Sequence, residues 1–165
     1  MTPRPPDEGP ANWIGLLYDQ YADALYRYAV MILADSAAAR DAVQQVFLGI
    51  AGKTAAHIRS DERYLRRAVR NECYSALRRR RRDMTTGDEP LLESVAAIEE
   101  KPEERLAIEA AIRTLPAEQR EVLHLKAFEG LTFQEIASQL GESINTVASR
   151  YRYAIAKLRE RLKSR

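Results

Sequence analysis

The 165-residue chain has a single cysteine, Cys73, and two histidines, His57 and His124. One cysteine excludes an intramolecular disulfide and a thiolate cluster for zinc, and it suits a reducing compartment. The histidines fall in different halves of the sequence and neither is near Cys73. The acidic residues show no metal-ligand spacing, and no glycine-rich phosphate loop occurs. No cofactor or metal is therefore expected, and an enzyme is disfavoured; His124, on an apolar helical face, reads as a core residue. Long apolar runs are missing too. Nothing approaches the roughly 18 apolar residues that span a membrane, and the first ten residues lack the charged start and apolar core of a secretory signal. A cytoplasmic protein without membrane insertion is expected.

Apolar residues at 45% and charged residues at 30% suffice for a soluble core. The formal net charge is only +2, but the charges are segregated. Residues 63–82 carry nine arginines against Glu72 alone, and residues 148–165 carry seven basic residues against Glu160 alone. Between them, residues 84–104 carry seven acids and one base, Lys101. Two cationic surfaces joined by an acidic segment imply a polyanionic partner such as nucleic acid.

The patterning is helical throughout, with no strand-like alternation. Pro3, Pro5, Pro6, Gly9 and Pro10 predict a disordered leader over residues 1–11. Trp13, Leu16, Leu17, Tyr21, Leu25, Tyr28, Ala29 and Ile32 then recur at three- and four-residue spacing, the period of an amphipathic helix. A second helix from about Ala37 buries Val43, Val46, Phe47 and Ile50, and a loop over 57–61 leads to a long third helix ending near Arg82. That helix sets Leu65, Ala68, Val69, Tyr74 and Leu77 among its arginines. Thr85, Thr86, Gly87, Asp88 and Pro90 mark residues 83–101 as a linker between a first domain, 12–82, and a second, 102–165. In the second domain, Leu106, Ile108, Ala111 and Ile112 predict one helix. The next has Pro116 at its first position, buries Val122, Leu123, Leu125 and Phe128, and closes at Gly130.

Thr132 to Glu135 has the capping-box pattern, which starts a short helix running to Leu140. Gly141 permits a positive φ in the turn, and Ser143 offers an N-cap for a helix from Ile144 to about Leu162. Ala137 is small where the two helices would approach, and Val147 can plug the angle between them. These are the requirements of a helix-turn-helix, rather than of an ordinary helical hairpin with a solvated basic face. Such a unit offers the start of its second helix to the major groove, here Asn145, Thr146, Ala148, Ser149, Arg150, Arg152 and Tyr153. In the third helix, Arg78 to Arg82 can neutralise phosphates. Tyr64 and Tyr74 either stack on unpaired bases or belong to the core, and Asn71 is either a solvent residue or a base reader.

The run LPAEQREVLHLKAFEGLTFQEIASQLGESINTVASRYRYAIAKLRERL, residues 115–162, closely resembles the region 4 domain of extracytoplasmic-function sigma factors. The runs YDQYADALYRYAVMIL, DAVQQVFL and YLRRAVRNECYSALRRRRR resemble their region 2 domain. The resemblance implies an all-α fold of two small helical domains, and a transcription-initiation factor that directs core RNA polymerase to promoters. It implies polymerase clamp contact at Asp41, Gln44 and Gln45. It places capture of the melted −10 element on the 57–61 loop, with His57 and Ser60, and on Arg66, Arg67, Arg70 and Asn71. It assigns −35 duplex readout to the helix from Ile144 to Tyr153, and it implies a flap contact and an anti-sigma partner. The chain departs from the family pattern at Gln45, where glutamate is common, at Gly49 to Ala51, where tryptophan is common, at Tyr64 and at Ala148. The rival reading is a dimeric helix-turn-helix regulator that acts without polymerase.

Overall fold

A computed structural model of the chain describes residues 10–51, 62–83 and 102–163. Every regular element among the described residues is helical. In chain order they are α1 (Pro10–Leu33), α2 (Ser36–Ala51), α3 (Glu62–Asp83), α4 (Pro102–Arg113), α5 (Ala117–Leu123) with a π-helical turn at His124–Phe128, α6 (Phe133–Leu140) and α7 (Ile144–Lys163). The fold is all-α. None of these helices is long and apolar enough to cross a membrane. The described residues divide into two compact units, one of 10–29, 37–51 and 62–83, the other of 30–36 and 102–163.

The first unit is built on helical spacing. Leu25, Tyr28 and Ala29 of α1, Ala39, Val43, Phe47 and Ile50 of α2, and Leu65, Val69 and Cys73 of α3 are buried. Tyr18 packs edge-on to Phe47 at 5.0 Å between ring centroids. The apolar stripe of α3 is one residue wide, recurring every fourth position, so most of that helix's surface is left to arginines. Arg80, Arg81 and Arg82 fill its last turn, where cations meet the negative end of the helix dipole.

In the second unit, Met31, Ile112, Leu115, Leu123 and Ala154 form a cluster, with Ile108, Tyr151, Ile155 and Leu158 packed against it. Val122, Leu125, Ile136 and Val147 are fully buried beside them. Arg120 is also buried, and its guanidinium is satisfied by main-chain oxygens. It donates to Met31 and Ile32 of the Val30–Ser36 stretch, at 2.7 and 2.6 Å, and to Leu115. A buried charge without such partners would cost several kcal/mol, on the order of the desolvation penalty of an ion.

Several expectations are corrected. Pro10 and Ala11 belong to α1 and not to a leader, since proline is tolerated in a first helical turn; residues 1–9, the 57–61 loop and residues 84–101 lie outside the described residues. Pro116 is the N-cap of α5, with φ −57 and ψ 152, and not its first residue. Its carbonyl accepts from Gln119 and Arg120, both at 3.0 Å. Leu16 and Leu106 are exposed. Leu106 is two residues from core-facing Ile108, about 200° around the helix, so it points away. Phe128 is exposed as well; it ends the π-helical turn, whose wider spacing displaces it from the α-helical phase of Val122 and Leu125. It stacks instead on His124, with centroids 5.7 Å apart.

Truncating Leu25, which is 1% exposed, to alanine should destabilise the first unit by about 2–5 kcal/mol, measured by urea denaturation. A loss below about 1 kcal/mol would contradict this packing.

Candidate nucleic-acid interface

The second unit's helix-turn-helix is fixed by three local features. At the start of α6, Thr132 Oγ1 accepts from the Glu135 amide at 3.2 Å, and the Thr132 amide donates to Glu135 Oε2 at 2.7 Å, a complete capping box. These hydrogen bonds, from the Thr132 backbone first and its hydroxyl second, hold the Glu135 carboxyl below its ordinary range, with Lys126 adding to the effect. At the end of α6, Gly141 adopts φ 68 and ψ 32, and its amide donates to the Ala137 carbonyl. At the start of α7, Ser143 Oγ accepts from the Thr146 amide at 3.1 Å. Val147 and Ile136 are fully buried and Ala137 nearly so, closing the angle between the helices.

That anchoring decides which side of α7 meets solvent. Val147 and Ala154, seven residues apart, face the core at 0% exposure. Tyr151, between them, packs edge-on to Phe133 at 5.6 Å. On the far side Asn145 and Arg152 are exposed and Thr146, Ala148 and Ser149 half-buried. Tyr153 is 67% exposed. Arg152 Nη2 donates to Ser149 Oγ at 3.2 Å, and Arg150 Nη2 lies 3.1 Å from Glu142 Oε1. Ile144, 48% exposed at the first turn of α7, was not singled out from the sequence; its signal was an apolar residue directly after an N-cap.

The candidate −10 residues of α3 divide by burial. Arg67 and Asn71 are exposed, and Arg70 is half-buried with its guanidinium 4.7 Å from the Tyr74 ring centroid. Arg66 is 8% exposed, 5.1 Å from the Tyr28 ring and 3.0 Å from Glu62 Oε1, so its charge is spent inside the unit. Tyr64 is partly exposed, and Arg79 pairs with Glu72 at 2.9 Å. His57 and Ser60 lie outside the described residues. On α2, Asp41, Gln44 and Gln45 are exposed opposite Ala42, Val43 and Phe47. Leu48, 65% exposed, continues that face one turn on; the sequence signal was its spacing of three, four and seven from those residues.

Comparison with known proteins matches two stretches of the chain to family models, Sigma-70 region 2 over residues 17–83 and Sigma-70 region 4 over residues 105–158. The ECF RNA polymerase sigma factor SigL of Mycobacterium tuberculosis is 32% identical over 155 residues, covering 87% of this chain and 85% of the relative. The RNA polymerase sigma-E factor of Streptomyces avermitilis is 31% identical over 145 residues, covering 87% and 81%. Among solved structures, the sigma factor RpoE of Bartonella quintana, crystallised with the anti-sigma factor NepR, matches with TM-score 0.68 and 27% identity over 88% of this chain and 94% of that one.

Gly141→Ala should cost about 1–2 kcal/mol, because a β-carbon disfavours positive φ, and Ser143→Ala about 1 kcal/mol; denaturant melts of the full chain measure both, and no loss in either would contradict the turn geometry. The depressed Glu135 carboxyl stabilises the folded state above its unfolded pKa, and that contribution is lost as pH falls through the folded value. Acid should therefore erode the stability of the wild type more than that of Glu135→Gln, and parallel pH profiles would contradict the cap.

Proposed function

The chain belongs to the extracytoplasmic-function sigma factors of the sigma-70 family and is a promoter-recognising transcription-initiation factor, and from that premise we propose how its residues divide the work. The outward side of α7, with Asn145, Thr146, Ala148, Ser149, Arg152 and Tyr153, reads the −35 element as duplex, and Arg150 flanks it beside Glu142. The outward side of α3, with Arg67, Arg70 and Asn71, meets the −10 element together with His57 and Ser60, while Arg66 positions α3 through Tyr28 and Glu62. Asp41, Gln44 and Gln45 of α2, extended by Leu48, bind the clamp of core RNA polymerase, and the second unit rests on its flap. The observation that carries this reading is the solvent exposure of Asn145, Arg152 and Tyr153 on the side of α7 opposite Val147 and Ala154, beside a helix-turn-helix turn.

Each step has a physical basis. Arginines on α3 and α7 neutralise phosphates, which gives salt-dependent affinity without sequence preference. Base edges supply the discrimination, since one bidentate contact distinguishes bases by about 1–3 kcal/mol. Exposed Tyr64 offers a ring for an unpaired base, which makes opening of the −10 element favourable once polymerase holds the duplex. The protein catalyses nothing itself and acts in the cytoplasm. Its resemblance to a sigma factor crystallised with an anti-sigma factor supports restraint by a protein inhibitor of that kind. A polymerase-independent regulator is not favoured, because it leaves the region 2 match over residues 17–83 without a role.

Holoenzyme assembled from core polymerase and the full chain, tested on promoters with a randomised −35 element, checks the assignment on α7. Arg152→Ala should reduce discrimination at one −35 position by about 1–3 kcal/mol, and an unchanged base profile would remove Arg152 from the readers. Leu48→Asp should weaken core binding by about tenfold or more, as loss of an interface anchor does. Undiminished binding would move the polymerase contact off α2.

A further inference from the structure

We infer that Glu142 holds Arg150 away from the promoter, so that Arg150 positions the turn and the sequence is read by Asn145, Ser149 and Arg152. The inference rests on the reading of α7 as the −35 reader. Two independent observations support it. The first is helical phase. At about 100° per residue, Asn145 and Ser149 lie about 160° around α7 from the core-facing Val147, and Arg152 about 140°. Arg150 lies only about 60° from Val147, on the flank of the helix nearer the core. The second is pairing. Arg150 Nη2 is 3.1 Å from Glu142 Oε1, and their side chains are 25% and 34% exposed. Glu142 sits in the turn itself, its amide donating to the Ala137 carbonyl at 3.0 Å.

The consequence is a masked charge. A guanidinium on the flank of a recognition helix is within reach of the phosphates that border the groove, and a phosphate contact adds affinity for every sequence alike. With Glu142 as its partner, Arg150 contributes no counterion release. The turn gains a link between its Glu142 end and the second turn of α7, and the reading residues keep a larger share of the total binding. Arg152 has a different partner, the neutral Ser149 hydroxyl at 3.2 Å, which leaves its charge available to guanine.

The test uses holoenzyme made from core polymerase and the full chain, with equilibrium binding to a promoter fragment followed across salt concentrations. Glu142→Gln, Arg150→Gln and the double variant are compared with the wild type. Freeing Arg150 by Glu142→Gln should steepen the plot of log affinity against log salt by about 0.9, the contribution of one added phosphate contact, and raise affinity about fivefold at 0.15 M salt. In the Arg150→Gln background the same change should do neither. Arg150→Gln alone should leave the −35 base profile unchanged. An equal gain in both backgrounds would assign the effect to general repulsion by Glu142 and overturn the inference, as would a base profile altered by Arg150→Gln. If Arg152→Ala and Asn145→Ala leave the profile unchanged as well, the reading of α7 is what has failed, and the inference goes with it.

Discussion

Gly141 sets the angle between α6 and α7 with a backbone of φ 68 and ψ 32, a conformation that a β-carbon disfavours. Only with the chain turned this way can Val147 enter the space beside Ile136 and Ala137, all three of which are buried. Thr132 with Glu135 and Ser143 with Thr146 then satisfy amides that the two helix starts would otherwise leave without partners. Farther along α7, Ala154 is held in the core and Lys157 Nζ donates to the Thr114 carbonyl at 3.0 Å, so the helix is fixed along most of its length. The basic outward side of α7 follows from these contacts. DNA readout needs side chains delivered in a fixed register, and this unit supplies it from packing and not from the arginines themselves.

The first unit solves the opposite problem, since α3 must fold despite its crowd of like charges. Its buried stripe of Leu65, Val69 and Cys73 is narrow, and local pairs relieve part of the repulsion. Glu62 takes Arg66, Glu72 takes Arg79, and the rings of Tyr28 and Tyr74 lie against Arg66 and Arg70. The exposed Glu72–Arg79 pair contributes at most about 1 kcal/mol. Arg67 is exposed, so the charge distribution that costs this unit stability also leaves cationic surface facing solvent.

Much of this was legible in the sequence, for definite reasons. Caps, turn glycine and apolar spacing are local, so both helices of the helix-turn-helix could be read from Thr132, Gly141, Ser143 and Val147. Helix phase was harder. Leu16, Leu106 and Phe128 read as core residues because hydrophobicity alone does not fix which side of a helix is covered, and the π-helical turn at His124–Phe128 left no pattern in the sequence. Site roles were least legible, since Arg66 and Arg67 are chemically identical neighbours and only burial separates them. Arg150 and Arg152 likewise look equivalent until Glu142 is seen beside one and Ser149 beside the other.

The account makes this protein a specificity subunit whose two weak DNA-binding surfaces act together only on polymerase. Transcription from a pool of genomic promoter fragments, with core RNA polymerase and the full chain supplied separately and together, addresses that claim most directly. The account predicts transcripts from a defined set of promoters that appear only when both components are present. Tight sequence-specific binding of duplex DNA by the free chain, with no binding to core and no promoter-specific transcript, would contradict it.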